Sequence, residues 1–149
     1  MRPTWDEDMA TGIAEIDADH RRIAGFFDEI LVSLAEGQEH EAMVAALSRL
    51  VDALCEHIEH EDELMRAIRY PDASAHRLEH DGYFIRLSQL MVDCQKHSRC
   101  IADKVRELLY LWKFQHQDHF DRPLARAIQA RREPTPALRP EFSRPLVCQ

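Results

Sequence analysis

Residues 43–65, MVAALSRLVDALCEHIEHEDELM, decide the fold. Met43, Leu47, Leu50, Leu54, His57, Glu61 and Leu64 recur at alternating steps of four and three, the spacing of one buried seam along an amphipathic helix. Two positions near the end of that seam, His57 and Glu61, are polar and one turn apart. A carboxylate placed on a core seam is costly to desolvate unless something holds it. The stretch therefore predicts a helix and marks a site on it.

Three further stripes share the helical period. His20, Ile23, Phe27, Ile30 and Leu34 mark a first helix, with Asp17 or Asp19 as its expected N-cap. His76, His80, Tyr83, Leu87, Leu90 and Cys94 mark a third helix, and Ile101, Val105, Leu108, Trp112 and His116 a fourth. The breaks between them are short: Glu36-Gly37-Gln38-Glu39, Arg69-Tyr70-Pro71-Asp72 and Lys96-His97-Ser98-Arg99. Long helices with short connections pack antiparallel, so the predicted architecture is all-α, an up-down-up-down four-helix bundle over residues 1–130. Residues 1–16 are expected to form an irregular N-terminal arm whose Trp5, Ile13 and Ile16 cover a bundle end. Residues 131–149, with Pro134, Pro136, Pro140 and Pro145, are expected to form a Pro-rich flexible tail.

The turns also set the depth of each polar residue. His20 lies about as far before the first break as His57 lies after it. Glu61 and His76 are roughly equidistant from the second, as are His80 and His116 from the third. At about 1.5 Å rise per residue, a slip of a few residues in any hairpin would move a donor by several Å. Three breaks agree on one layer containing His20, His57, Glu61, His76, His80, His116 and Asp121.

Composition narrows the class. The 149 residues, 45% hydrophobic, suffice for the core of a single domain. A formal net charge of -8 argues against nucleic acid and anionic membranes as partners. No apolar run approaches the ~20 residues that span a bilayer, and the start Met1-Arg2-Pro3-Thr4-Trp5-Asp6 does not read as a signal peptide, so a cytoplasmic location is expected. Cys55, Cys94, Cys100 and Cys148 form no CxxC pair and are expected to be reduced, the first two as small core residues and Cys148 as an accessible thiol in the tail.

Each polar group has an ordinary reading beside the metal-binding one. His57 and Glu61, four apart, would be a common ion pair on a helix surface, but they sit on the seam. His76 and His80, also four apart, can chelate one ion from one helix face. His116 and Asp121 are five apart, about 140° around a regular helix. That offset is poor for chelating a single ion and suits a carboxylate that reaches across to bridge two. Pro123 is expected to loosen the helix there, because it removes the hydrogen bond to the carbonyl of His119. His40 and His97 fall near turns at the opposite end and are expected to be solvated, while His60 and His119 point to other helix faces, with a part as outer partners of the ligands as the alternative.

Imidazole with carboxylate suits iron, zinc, copper or manganese. Five histidines and two carboxylates exceed the four ligands of a structural zinc. Two ions sharing Glu61 and Asp121 would use all seven donors and leave one coordination position open, a fit for a small diatomic ligand.

Taken in chain order, these stretches resemble the hemerythrin family. The matching segments are Ile16-Asp17-Ala18-Asp19-His20, His57-Ile58-Glu59-His60-Glu61-Asp62-Glu63-Leu64-Met65, Tyr70-Pro71, His76-x-x-x-His80 and Trp112-x-x-x-His116-x-x-x-x-Asp121, spanning roughly residues 5–125. The chain looks like the single-domain bacteriohemerythrins of that family. The resemblance implies a non-haem di-iron centre that binds dioxygen reversibly for carriage, storage or delivery. It implies His76, His80 and His116 on one iron and His20 with His57 on the other, bridged by Glu61, Asp121 and an oxo or hydroxo group. Dioxygen is then the partner, with the protein that receives it unspecified, and no catalytic turnover is expected. The alternative is a di-iron enzyme or detoxifier acting on peroxide or nitric oxide, or an oxygen or redox sensor. Di-iron bundles that activate oxygen use Glu-x-x-His pairs, and this chain contains none. Four positions depart from the family's habit: Ile58 for phenylalanine, Arg69 for glycine, Lys113 for leucine and Gln117 for isoleucine. Gln117 is expected either to face the oxygen pocket or, with Lys113, to point to solvent.

Overall fold

A computed structural model describes residues 4–37, 40–96 and 101–132. After a short 3-10 turn at Glu7–Met9, the chain forms α1 (Ala14–Glu36), α2 (His40–Ile68) and α3 (Ala73–Gln95). The fourth rod has three parts: α4 (Ile101–Tyr110), a π-helical stretch (Leu111–Asp121) and α5 (Arg122–Arg132). Each helix packs on its neighbour in sequence, and α1 packs on α4 to close the ring. This is the expected all-α up-down-up-down bundle.

The turns follow their residues. Gly37 ends α1 in the left-handed conformation, with φ 61° and its N–H donating to the Ser33 carbonyl. Arg69 ends α2 in the same region, φ 50°, where only glycine is at ease. The following N–H of Tyr70 closes onto the Met65 carbonyl.

Helix α1 starts earlier than expected. Its N-cap is Ile13, which offers no side-chain hydrogen bond, so neither Asp17 nor Asp19 caps it. Asp17 turns back instead to accept from the Thr11 and Gly12 N–H groups and the Thr11 hydroxyl. The arm is correspondingly shorter than residues 1–16. It is also fastened along the bundle. Thr4 donates to Asp28, the Arg122 guanidinium to the Asp8 and Ala10 carbonyls, and Gln129 to the Thr11 carbonyl.

The core is divided in two. The larger cluster holds Ile23, Phe27 and Ile30 of α1, Leu47, Leu50 and Leu54 of α2, Tyr83, Leu87 and Leu90 of α3, and Val105, Leu108 and Trp112 of the fourth rod. The smaller holds Ile13, Ile16, Met65, Leu124, Ala125 and Ile128. Ile13 and Ile16 thus close the end of the bundle as expected, whereas Trp5 packs against the larger cluster with Met9. In every rod the residues between the two clusters are the polar ones singled out from the sequence.

Cys94 is buried and Cys55 half-buried, both as free thiols. Burial raises the pKa of each. Cys100, Cys148 and His97 lie outside the described residues, as does the expected tail from residue 133 on; residues 131 and 132 continue α5. His40 is half-buried at the start of α2 rather than solvated. Among the described residues, no helix is long and apolar enough to cross a membrane.

Candidate metal centre

Helix geometry delivers all seven polar residues to one level, and none is more than 4% exposed. Helix α1 supplies His20, α2 supplies His57 and Glu61, α3 supplies His76 and His80, and the π-helical stretch supplies His116 and Asp121. Ligating atoms of His57, Glu61, His80, His116 and Asp121 lie within 4.8 Å of one another. His20 and His76 adjoin them through the carboxylates.

The fourth rod corrects one expectation. His116 and Asp121 do not sit on a loosened regular helix. The hydrogen bonds here close five residues back, as in Arg122 N–H to the Gln117 carbonyl. A five-residue ladder brings residues five apart onto one face, so Asp121 Oδ1 stands 3.0 Å from His116 Nε2. Pro123, which has no N–H to give, falls just beyond that ladder in the first turn of α5, where a proline is tolerated.

The two carboxylates each face several imidazoles. Asp121 divides its oxygens: Oδ1 meets His116 and His76 (3.2 Å), while Oδ2 meets His20 (3.0 Å). Glu61 Oε2 meets the Nε2 atoms of His76 (3.1 Å), His80 (3.2 Å) and His57 (3.4 Å). Close as they are, these contacts lack hydrogen-bond geometry. Both nitrogens of His20, His57, His76 and His80 and all four carboxylate oxygens are buried without a hydrogen-bond partner. Buried polar atoms are nearly always satisfied in folded proteins. A whole shell of lone pairs left open and aimed at one another is the arrangement of a cation cage.

Charge follows the same geometry. Burial opposes the ionised forms throughout, yet the mutual attraction is stronger. It holds His57 and His76 protonated up to about 9, lowers Glu61 to about 2 and keeps Asp121 well below the carboxylate range. His80 moves down, because burial, helped by the neighbouring His116 and His76, outweighs the pull of Glu61.

Two residues outside the seven belong to the site. Asp19 stands behind His57, 3.7 Å from its Nδ1, and is bonded by His60 Nδ1 at 2.7 Å. Despite its burial, these two histidines keep the Asp19 carboxyl low. A carboxylate behind a ligating imidazole fixes its orientation and raises its basicity. His119 takes no part: it bonds the Gln115 carbonyl at the surface.

Gln117 and Lys113 do not point to solvent. Gln117 is 2% exposed with an unpartnered amide nitrogen, and it lines a cavity of about 320 Å³ beneath the arm with Met9, Lys113 and Phe114. Lys113 is half-buried and bonds the Thr4 carbonyl. Trp112 is fully buried, stacked on Phe27 and edge-on to His20 at 5.6 Å, with its indole N–H unpartnered.

Residues 11–127, which carry this buried histidine and carboxylate cage, match a known sequence family, the hemerythrin HHE cation binding domain. The chain belongs to the hemerythrin family. No curated protein and no solved structure matches it. The hemerythrin domain takes in every cage residue and stops midway along α5. Its buried His/Glu/Asp cluster fits metal binding.

Proposed function

We propose that this hemerythrin domain binds dioxygen reversibly at a non-haem di-iron centre, with His20, His57, Glu61, His76, His80, His116 and Asp121 as the ligands. The observation that carries this reading is the division of the Asp121 oxygens, Oδ1 toward His116 and His76 and Oδ2 toward His20. A carboxylate so placed between two imidazole groups is set to bridge two ions. His76, His80 and His116 would hold one, His20 and His57 the other, and Glu61 would be the second bridge. Donor set and crowding fit the pair better than a single tetrahedral ion.

A ferrous pair would supply two electrons, reversibly, to dioxygen. The chain's own residues do the rest. Ile13, Ile16, Met65 and Leu124 on one side and Phe27, Leu54 and Trp112 on the other keep water away from the layer. The Trp112 ring, edge-on to His20, walls the side with fewer histidines. Asp19 holds His57 in its ligating orientation, steadied by His60.

The test is anaerobic loading with ferrous iron followed by oxygen. A visible charge-transfer band that appears with oxygen and fades when oxygen is removed supports reversible binding. Permanent oxidation with catalytic consumption of peroxide would indicate turnover instead and contradict the proposal.

A further inference from the structure

Helix α3 is apolar on two sides. Its inner side carries His76, His80, Tyr83, Leu87, Leu90 and Cys94 into the bundle. On the opposite side Leu78, Ile85 and Val92 repeat at steps of seven, with Leu78 and Ile85 more than 70% exposed and Val92 39%. No other large apolar side chain among the described residues is as exposed as Leu78 and Ile85. Two grooves flank the ridge made by Ile85 and Gln89. One, of about 350 Å³, runs toward Leu108 and Leu111; the other is lined by Phe84, Ser88 and Val92.

We infer that this stripe pairs with the same stripe of a second copy of the chain, antiparallel about a two-fold axis through Ile85. A repeat of seven keeps a helix seam in register with a partner helix, and a two-fold contact must complement itself. The positions of α3 do so. With Ile85 against Ile85 of the second copy, Leu78 meets Val92. Asp81, which can only accept, comes level with the Gln89 amide, which can donate. Gly82 comes level with Ser88, and a side-chain carbon at Gly82 would have met nothing within 4 Å, so the Ser88 side chain has room there. Glu79 and Arg86 share one flank and carry opposite charge, and across the two-fold they stand about 7.5 Å apart in height, a gap that two long side chains can span. Each Ile85 ridge drops into the groove beside the other, the usual way helices interlock. The ligand-bearing side of α3 faces away from the contact, so each copy keeps its own metal layer.

Light scattering on the full chain tests this. The expected mass is twice 17.4 kDa, falling to that of one chain in Ile85→Glu with an unchanged helical signal. Disulfide trapping supplies a second measurement, in a chain whose Cys55, Cys100 and Cys148 are replaced by serine. Ile85→Cys, on the axis, should link to itself. Leu78→Cys should not, being about 21 Å from its own copy at 1.5 Å per residue, yet it should link to Val92→Cys when the two are mixed. Efficient self-linking of Leu78→Cys would overturn the antiparallel pairing. So would a single-chain mass at every concentration, including one that doubles only when residues 133–149 are removed, since the tail would then be the occupant of the stripe.

Discussion

Asp19 is the residue whose part in the site is hardest to see without coordinates, because in the sequence it resembles a helix cap. Standing behind His57 and bonded by His60, it positions a cage residue without belonging to the cage. Asp19→Ala should therefore weaken metal binding by roughly 10–100-fold, the usual effect of losing such a partner, with all seven cage residues intact; metal titration by competition with a chelator measures it. Gln117 leads to a different expectation. Its buried amide nitrogen has no partner, and an orphaned polar group of this kind costs about 1–3 kcal/mol. Gln117→Met, close in shape, should raise the urea midpoint. Arg69 holds φ 50° at the end of α2, a conformation that costs a side-chain-bearing residue about 1 kcal/mol. Arg69→Gly should recover about that much, read from the same denaturation curves.

The helices show where sequence is sufficient and where it is not. The seam of α2 and the three breaks are legible because apolar spacing and hairpin counting depend only on helical rise, and they place His20, His57, Glu61, His76 and His80 at one depth. The relation of His116 to Asp121 is not legible, because counting assumes 3.6 residues per turn and this stretch is π-helical. The resulting 140° offset pointed to a bridging carboxylate, but the structure reaches two sets of imidazoles by widening the ladder, not by loosening it. The start of α1 is hidden for another reason. Ile13 carries no polar capping signal, whereas Asp17, which does, serves the loop before it. The arm likewise reads as irregular although its backbone is tied down, chiefly by Arg122. Arg122→Ala should speed amide hydrogen exchange over residues 8–12, leaving exchange in α2 and α3 unchanged.

For the molecule as a whole, the cage ties stability to pH. His57 and His76 have folded pKa values of about 9 against 6.5 unfolded. Their contribution is complete below about pH 6.5 and is lost as pH rises toward 9. Glu61 and Asp121 are lowered, so theirs is present above about pH 4.5 and is lost on acidification. His80, lowered by burial, acts the other way, against the folded state, below about pH 6.5. The metal-free chain should thus lose stability between pH 6.5 and 9. A metal that replaces those protons reverses the dependence, since its binding releases them. Denaturant midpoints at the two pH values, with chelator and with metal, should change in opposite directions.

The seven polar side chains converge on one layer, and in the proposed centre Glu61 and Asp121 would bridge a pair of ions where a single ion would need no bridge. Elemental analysis of the ferrous-loaded chain, after removal of loosely held metal, is the most direct test. Two iron atoms per chain are expected, falling to one or fewer in Asp121→Ala with the helical signal retained. A single ion per chain, unaffected by loss of the Asp121 carboxylate, would contradict it.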